Sequence, residues 1–175
     1  MTSARLPAGS RAFVLTVSDR TAAGLREDAS GDLVAERLAA IGAAVERAVV
    51  PDDEARIAAA LRDAITRHAL VVTTGGTGLT PRDVTPQATR AVLDYEVPGL
   101  GEAMRAAGRS HTPLADLSRS LGGVAGRTLI VNLPGSPKAA AESLDAIIGL
   151  LPHALETLAG PFDHGAPRGS RGSAS

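Results

Sequence analysis

Apolar runs alternate with segments of helical periodicity along most of the chain. Four short apolar runs are predicted to be strands, namely residues 12–17, 44–50, 70–74 and 128–132. The almost wholly apolar run 12–17 is typical of a strand buried on both faces, and 70–74 is also predicted to be buried. Between them, apolar residues recur every three or four positions, as in helices that bury one face, and Ile57, Leu61 and Ile65 show this most clearly. This alternation predicts an α/β fold with a mostly parallel sheet covered by helices on both faces.

Prolines and polar caps place several helix ends. Thr85 is expected to cap a helix whose first residue is Pro86. Another helix is predicted over residues 98–107, and Pro152 is expected to kink or restart the last helical region. Residues 108–126 have weak periodicity, so the pattern predicts a long, partly irregular connection there.

The length of 175 residues suits one domain with a real core. We expect that domain to cover residues 11–160. Residues 1–10 are predicted to be a disordered lead. Residues 161–175 are rich in glycine, serine and arginine and are predicted to be a disordered tail.

Composition excludes several kinds of chemistry. The chain holds 18 basic and 19 acidic residues, so its net charge of −1 gives no reason to expect nucleic acid or a membrane surface as a partner. The absence of cysteine excludes disulfides, thiolate metal sites and thiol catalysis. Four scattered histidines lack the spacing of a zinc site. With neither a signal peptide nor a long apolar run, the expected location is the cytoplasm.

The third strand ends in a glycine-rich loop that is the best candidate for a ligand site. It begins with Gly75, Gly76, Thr77 and Gly78. Glycines at a strand end expose backbone N–H groups, which favour anions, and Asp83 adds a carboxylate that suits a metal ion. The same pattern is also typical of a plain turn in which Asp83 bonds its own backbone. On this stretch alone, both interpretations stay open.

The loop matches neither of two common phosphate motifs. A P-loop needs Lys-Ser/Thr after its last glycine, but Leu79 and Thr80 follow Gly78. A dinucleotide fingerprint needs a third glycine where this chain has Pro81.

Four polar turns follow the predicted strands, at residues 18–19, 52–53, 75–83 and 134–138. The carboxyl ends of parallel strands meet at one edge of a sheet, where ligands bind in such folds. We therefore expect these four turns to converge.

Two long motifs carry a resemblance to a known family. The first motif consists of Thr-Thr-Gly-Gly-Thr-Gly at residues 73–78 together with Pro-Arg-Asp-Val-Thr-Pro at residues 81–86. The second motif is Asn-Leu-Pro-Gly-Ser-Pro at residues 132–137. In this order and spacing they closely resemble the MoaB/Mog family of molybdenum cofactor biosynthesis. The likeness covers roughly residues 11–160 and extends through residues 14–20, 50–54 and 117–120. It implies a three-layer α/β fold that assembles as a homo-oligomer, a trimer being favoured over a hexamer.

The resemblance also implies an activity. In that family the adenylyltransferase branch joins molybdopterin to the AMP part of Mg-ATP and releases pyrophosphate, and a separate molybdate-inserting enzyme uses the product. Other branches bind the pterin without clear adenylyltransferase activity, so a non-catalytic molybdopterin-binding paralogue is the alternative. Two matched motifs argue against a third interpretation, a generic nucleotide-binding module with accidental similarity.

The chemistry of adenylyl transfer suits these residues. The attacking phosphate is already anionic near neutral pH, since the second pKa of a phosphate monoester is about 6. The reaction therefore needs alignment and charge neutralisation rather than a strong general base. Backbone N–H groups of the glycine loop supply the first, and carboxylates that hold Mg²⁺ supply the second.

Residue roles follow from the matched motifs. Asp83 matches the family's functional aspartate and is predicted to hold Mg²⁺ or align phosphate. Asp52 matches the other acidic position, although an aspartate at a helix start can equally cap that helix. Ligand contacts are predicted for Gly75, Gly76, Thr77, Gly78, Gly135, Ser136 and Pro137, and less strongly for Ser18, Asp19 and Ser118. Arg82 and Lys138 are candidates to pair with phosphate, but most surface cations are simply solvated.

Overall fold

The computed structural model describes residues 4–160 of the chain. Its strands are β1 (Arg11–Val17), β2 (Ala44–Val50), β3 (Leu70–Thr74), β4 (Tyr95–Glu96), β5 (Gly122–Ala125) and β6 (Thr128–Leu133). Its helices are α1 (Asp19–Ala22), α2 (Ala29–Ala40), α3 (Glu54–Ala64), α4 (Thr85–Arg90), α5 (Pro98–Arg109), α6 (Pro137–Ile147) and α7 (Leu151–Ala159), with a 3₁₀ helix at Pro113–Leu117.

One six-stranded sheet runs in the order β2-β1-β3-β6-β5-β4. The first four strands in this order are parallel, whereas β5 and β4 are antiparallel to their neighbours. Thr16 of β1 pairs with Thr74 of β3, and Thr74 pairs with Leu133 of β6. This register brings the turns that follow β1, β3 and β6 to the same edge of the sheet.

Helices cover both faces of the sheet. Successive β1 residues point to opposite faces, so Val14 belongs to one buried apolar cluster and Leu15 to the other. The first cluster includes Leu38 of α2 and Leu144 of α6, and the second includes Leu61 of α3. The predicted three-layer α/β fold with a mostly parallel sheet is confirmed.

The prediction of a disordered lead is wrong for residues 4–10. Leu6 is buried, and its N–H donates to the carbonyl of Ile41 at 2.9 Å. Ser10 Oγ donates to the Pro7 carbonyl at 2.6 Å. Burial of a single leucine and these bonds order the segment, which a short sequence without a periodic apolar pattern does not reveal. The predicted tail, residues 161–175, lies outside the described residues.

The prediction for residues 108–126 is only partly right, because β5 lies within that segment. A Cβ added at Gly122 would come within 2.5 Å of Leu100, and one at Gly123 within 2.4 Å of Leu93. The glycines therefore let the strand pass directly beneath these leucines. Glycine is uncommon in strands, so the local sequence gave no strand signal.

The predicted helix over residues 98–107 is present as α5, and the predicted kink or restart of the last helical region at Pro152 is also confirmed. Helix α6 ends at Ile147 and α7 begins at Leu151, so the proline falls in the first turn of a new helix. None of the helices within residues 4–160 has the length and apolar character needed to cross a membrane.

Candidate active site

The four polar turns converge at the carboxyl edge of the sheet, as expected. A cavity of about 250 Å³ opens there, and each turn contributes to its wall. Ser18 follows β1, Asp52 follows β2, Gly75 follows β3 and Ser136 follows β6. We call this space the first cavity.

A second, more open cavity of about 460 Å³ adjoins the first. Both cavities are lined by Gly76 and Gly135, so the glycine loop forms part of the boundary between them. Asp52 borders the first cavity and Asp83 borders the second. The remaining residues of the second cavity are Thr77, Gly78, Leu79, Leu114, Leu117, Ser118 and Pro134.

The glycine loop has a backbone conformation that only glycine adopts easily. Gly75 has φ +94° and Gly76 has φ +65°. A Cβ on Gly75 would lie 2.3 Å from the carbonyl oxygen of Val17, and one on Gly76 would lie 2.3 Å from Thr85 Oγ1. Two separate constraints, backbone conformation and lack of space, therefore require glycine at both positions.

Thr85 does not cap α4 as predicted but is its first residue, with Val84 at the cap position. Its Oγ1 donates to the carbonyl oxygen of Gly75 at 2.9 Å, and its N–H donates to that of Gly76 at 3.1 Å. The hydroxyl thereby satisfies a buried backbone carbonyl of the tight loop. Thr85 thus fixes the loop to α4.

Asp83 closes the glycine loop with its side chain. Its Oδ2 accepts hydrogen bonds from Thr80 N–H at 2.9 Å and from Thr80 Oγ1 at 2.6 Å. Partial burial raises the pKa of Asp83, but the hydrogen bonds from Thr80 and Gly78 and the charge of Arg119 outweigh burial, so the pKa lies below its usual value. Asp83 is therefore an anion at neutral pH.

Asp52 and Asp19 form a reciprocal pair. Asp19 N–H donates to Asp52 Oδ2 at 2.8 Å, and Asp52 N–H donates to Asp19 Oδ1 at 3.0 Å. The alternative role considered for Asp52, capping of α3, is filled by the neighbouring Asp53. Asp53 accepts a hydrogen bond from Arg56 N–H at 2.8 Å. Oδ1 of Asp52 lies 3.4 Å from the position of a Cβ on Gly76, so this carboxylate faces the glycine loop.

Asp19 ties neighbouring turns together. Its carboxylate forms an ion pair with Arg82, and this bond, followed by the one from Asp52 N–H, holds the pKa of Asp19 below its usual value. Arg82, a candidate for pairing with phosphate, is thus engaged with a carboxylate. Lys138 is exposed and lies 3.9 Å from Glu142. The role of Asp19 as a ligand contact stays a prediction.

Serine hydroxyls from two turns line the first cavity while capping helices. Ser18 Oγ accepts from Thr21 N–H at 3.2 Å, and Ser136 Oγ accepts from Ala139 N–H at 3.2 Å. Because each hydroxyl acts as an acceptor in its cap, its own proton is available to donate to a ligand. Pro137 follows as the first residue of α6.

Ser118 borders the second cavity, and its Oγ donates to Ser120 Oγ at 2.9 Å.

Sequence reasoning missed the contribution of α2. Arg26 and Ser30 line the first cavity beside Asp28, which caps α2 through Gly31 N–H at 3.0 Å. Ser30 Oγ lies 3.1 Å from Thr74 Oγ1 at the end of β3. The one available signal was the capping preference of Asp28 before a helical segment. Arg119, also missed, contacts the glycine loop.

The two predicted metal ligands fit Mg²⁺ only together with a substrate. Within residues 4–160, no three or more histidine, cysteine or acidic residues are grouped to hold a metal ion. Asp52 and Asp83 instead border adjoining cavities, and Oδ1 of Asp52 faces the loop between them. Mg²⁺ characteristically binds one or two carboxylates and completes its coordination with phosphate oxygens and water. The donor set suits that mode.

The fold defines an α/β protein with two adjoining cavities at the carboxyl ends of its parallel strands. Residues 13–153 match the family described as the probable molybdopterin binding domain, and the chain belongs to this family.

The chain is 46% identical to a molybdenum cofactor biosynthesis bifunctional protein of Synechococcus elongatus, over 93% of this chain and 51% of the relative. It therefore spans about half the length of that protein. It is 36% identical to the molybdopterin adenylyltransferase of Escherichia coli, over 90% of this chain and 89% of the relative. The structure of the molybdopterin biosynthesis enzyme MoaB from Thermus thermophilus is similar, with a TM-score of 0.79 at 50% identity, over 85% of this chain and 96% of that one.

Proposed function

We propose that this protein is a molybdopterin adenylyltransferase, which joins molybdopterin to the AMP part of Mg-ATP and releases pyrophosphate. The observation that carries the proposal is the pair of adjoining cavities separated by the glycine loop, with one aspartate bordering each. A reaction between two bound molecules needs two subsites that meet at the reacting atoms. Full-length relatives of similar size named molybdopterin adenylyltransferase support it.

The reaction transfers an adenylyl group between phosphates. A terminal phosphate oxygen of molybdopterin forms a bond to the α-phosphorus of ATP. The bond from that phosphorus to the bridging oxygen breaks, and its electron pair leaves with pyrophosphate. No proton needs to be removed from the nucleophile, because a phosphate monoester is already anionic near neutral pH.

The residues of the site align and neutralise the phosphates. N–H groups of the glycine loop and the hydroxyls of Ser18 and Ser136 are donors for phosphate oxygens. Asp52 and Asp83 would hold Mg²⁺ together with the phosphates of ATP. When bound, Mg²⁺ supplies positive charge that stabilises the charge developing on the phosphate oxygens.

Adenylyl transfer tests this proposal directly. Purified protein is incubated with molybdopterin and Mg-ATP, and pyrophosphate and adenylylated pterin are both quantified. Wild-type protein is expected to turn over. Asp83→Asn and Asp52→Asn are each expected to lower kcat by about 10²-fold or more, because each removes a charge that aligns the reacting groups.

The matched control is Asp145→Asn, which removes an exposed carboxylate that borders neither cavity and pairs with Arg37. Its turnover is expected to equal that of the wild type. Tight pterin binding without wild-type turnover would reject the enzyme and favour a non-catalytic molybdopterin-binding paralogue. Absence of both pterin binding and turnover would reject the family function altogether.

The proposed setting follows the family resemblance. The protein acts as a homo-oligomer, as a trimer in preference to a hexamer, and its compartment is the cytoplasm. A molybdate-inserting enzyme consumes the adenylylated product. Neither nucleic acid nor a membrane is a proposed partner, in keeping with the net charge of −1.

A further inference from the structure

We propose that Arg119 is a positioning residue of this site, which holds the glycine loop in the conformation that adenylyl transfer requires. The proposal rests on the proposed function for its kinetic consequences. Its structural basis is the set of hydrogen bonds that Arg119 makes to the loop.

Arg119 contacts the loop at three points along the chain. Its backbone N–H donates to the Thr77 carbonyl at 2.9 Å, and its Nε donates to the Gly78 carbonyl at 2.7 Å. Its Nη2 donates to the carbonyl of Asp83. The remaining Nη1 donates to Gln87 Oε1 on α4 at 3.1 Å. One residue therefore links the glycine loop, the helix after it and the segment before β5.

Few other polar contacts hold this part of the loop. Thr80 and Asp83 bond each other, which closes the turn but does not attach it to the domain. Within residues 4–160, two residues outside the 77–83 segment bind it through hydrogen bonds or ion pairs. One is Arg119, and the other is Asp19, which pairs with Arg82. Leu79, at 66% exposure, packs little. Although Thr77 is buried, the polar contacts that hold residues 77–83 come mainly from Arg119, whereas Thr85 holds Gly75 and Gly76.

The geometry requires arginine rather than any cation. The planar guanidinium directs rigid N–H donors toward three acceptors at once, namely Gly78, Asp83 and Gln87. A lysine keeps the charge but presents one compact ammonium group on a flexible stem, which cannot reach all three acceptors. All three acceptors are neutral carbonyl or amide oxygens, and the charge of Arg119 also acts on the nearby carboxylate of Asp83.

The test compares Arg119→Lys with a control, Arg62→Lys. Arg62 also binds a backbone carbonyl, that of Ala91 at 3.4 Å, but it neither contacts the glycine loop nor borders either cavity. Both substitutions conserve charge and remove a guanidinium from carbonyl oxygens. They differ in whether the loop loses its attachment.

Two readouts are measured for each variant. For Arg119→Lys, amide hydrogen exchange in a peptide covering residues 76–83 is expected to rise at least about tenfold, because the loop opens more often. Its kcat is expected to fall about 10- to 100-fold, with the KM for ATP changed less than about threefold, since a small misplacement disrupts alignment more than binding. For Arg62→Lys, both readouts are expected to stay within about twofold of the wild type.

Exchange and turnover can fail separately. Unchanged exchange of the loop in Arg119→Lys would overturn the proposal, and so would a kcat within about twofold of the wild type. Lack of turnover in the wild type would reject the proposed function alone, because loop exchange still tests Arg119. Should Arg119→Lys not fold, Gln87→Met removes one exposed acceptor of the same guanidinium. Gln87→Met is expected to raise amide hydrogen exchange of the loop by a smaller factor than Arg119→Lys would. Unchanged exchange in Gln87→Met would overturn the proposal.

Discussion

Gly75 is a residue at which the site tolerates little change. Its φ of +94° lies in the left-handed region, and a Cβ would meet the backbone carbonyl of Val17 at 2.3 Å. This carbonyl belongs to the last residue of β1, which is paired with Val50 of β2, so it cannot move aside as the tip of a side chain can. The requirement for glycine is therefore imposed by β1, more than fifty residues earlier in the chain.

Replacing Gly75 with alanine is expected to lower the free energy of unfolding by at least about 2 kcal/mol, from backbone strain and the clash together. The control is Gly99→Ala, at a position in α5 where a Cβ meets nothing within 4 Å. Alanine there is expected to raise stability by about 0.5–1 kcal/mol through helix propensity. Equilibrium urea unfolding measures both, and equal stability of the two variants would contradict the argument.

At the scale of elements, α3 shows how adjacent acidic residues divide two tasks. Asp53 caps the helix. The carboxylate of Asp52 instead faces the glycine loop and the turn after β1, where it accepts a hydrogen bond from Asp19 N–H. Sequence alone left Asp52 between capping and ligand binding, because a shift of one residue at a helix start exchanges the two roles. The capping bond to Arg56 N–H decides in favour of Asp53.

Asp53→Ala is therefore expected to lower the free energy of unfolding by about 1 kcal/mol, the usual cost of a lost N-cap, while adenylyl transfer is kept. Asp52→Asn is expected to do the reverse, with activity lost and stability little changed. Urea unfolding and the transfer assay on both variants provide the comparison. Loss of activity in Asp53→Ala without loss of stability would show that the roles are assigned to the wrong residues.

The elements that sequence predicted well are those with strong internal patterns. β1, β3 and β6 were recognised because strands buried on both faces are almost wholly apolar. β2, a partly buried edge strand, was recognised from its β-branched valines. β5 was missed because its glycines are dictated by Leu93 and Leu100 above it, and no local pattern reports such contacts. In the site, the turns at the strand ends were predictable from topology. Arg119 was not assigned a role, because its importance comes from the carbonyls that it reaches across the fold.

At the scale of the whole molecule, large apolar side chains are exposed beside the second cavity. Leu114 is 68% exposed and Leu117 is 52% exposed, and both line that cavity together with Leu79. Exposed apolar side chains gathered near a site are typical of surfaces that a ligand or another chain covers. This arrangement is compatible with the proposed trimer.

Light scattering coupled to size-exclusion chromatography is expected to give a mass three times that of the 17.7 kDa chain. The measurement is made at several protein concentrations, because a weak assembly dissociates on dilution. A mass six times that of the chain would favour the hexamer instead. The mass of a single chain at every concentration would contradict an oligomer.

The two edges of the sheet have a consequence for how copies of this chain meet. β4 is only two residues long, and the middle of β2 carries Glu46 and Arg47, which pair with Arg11 and Asp28. A short edge and a charged edge both discourage strands of other molecules from adding to the sheet. The protein is thereby guarded against fibrous aggregation, and its helices and loops are left as the surfaces on which copies can assemble.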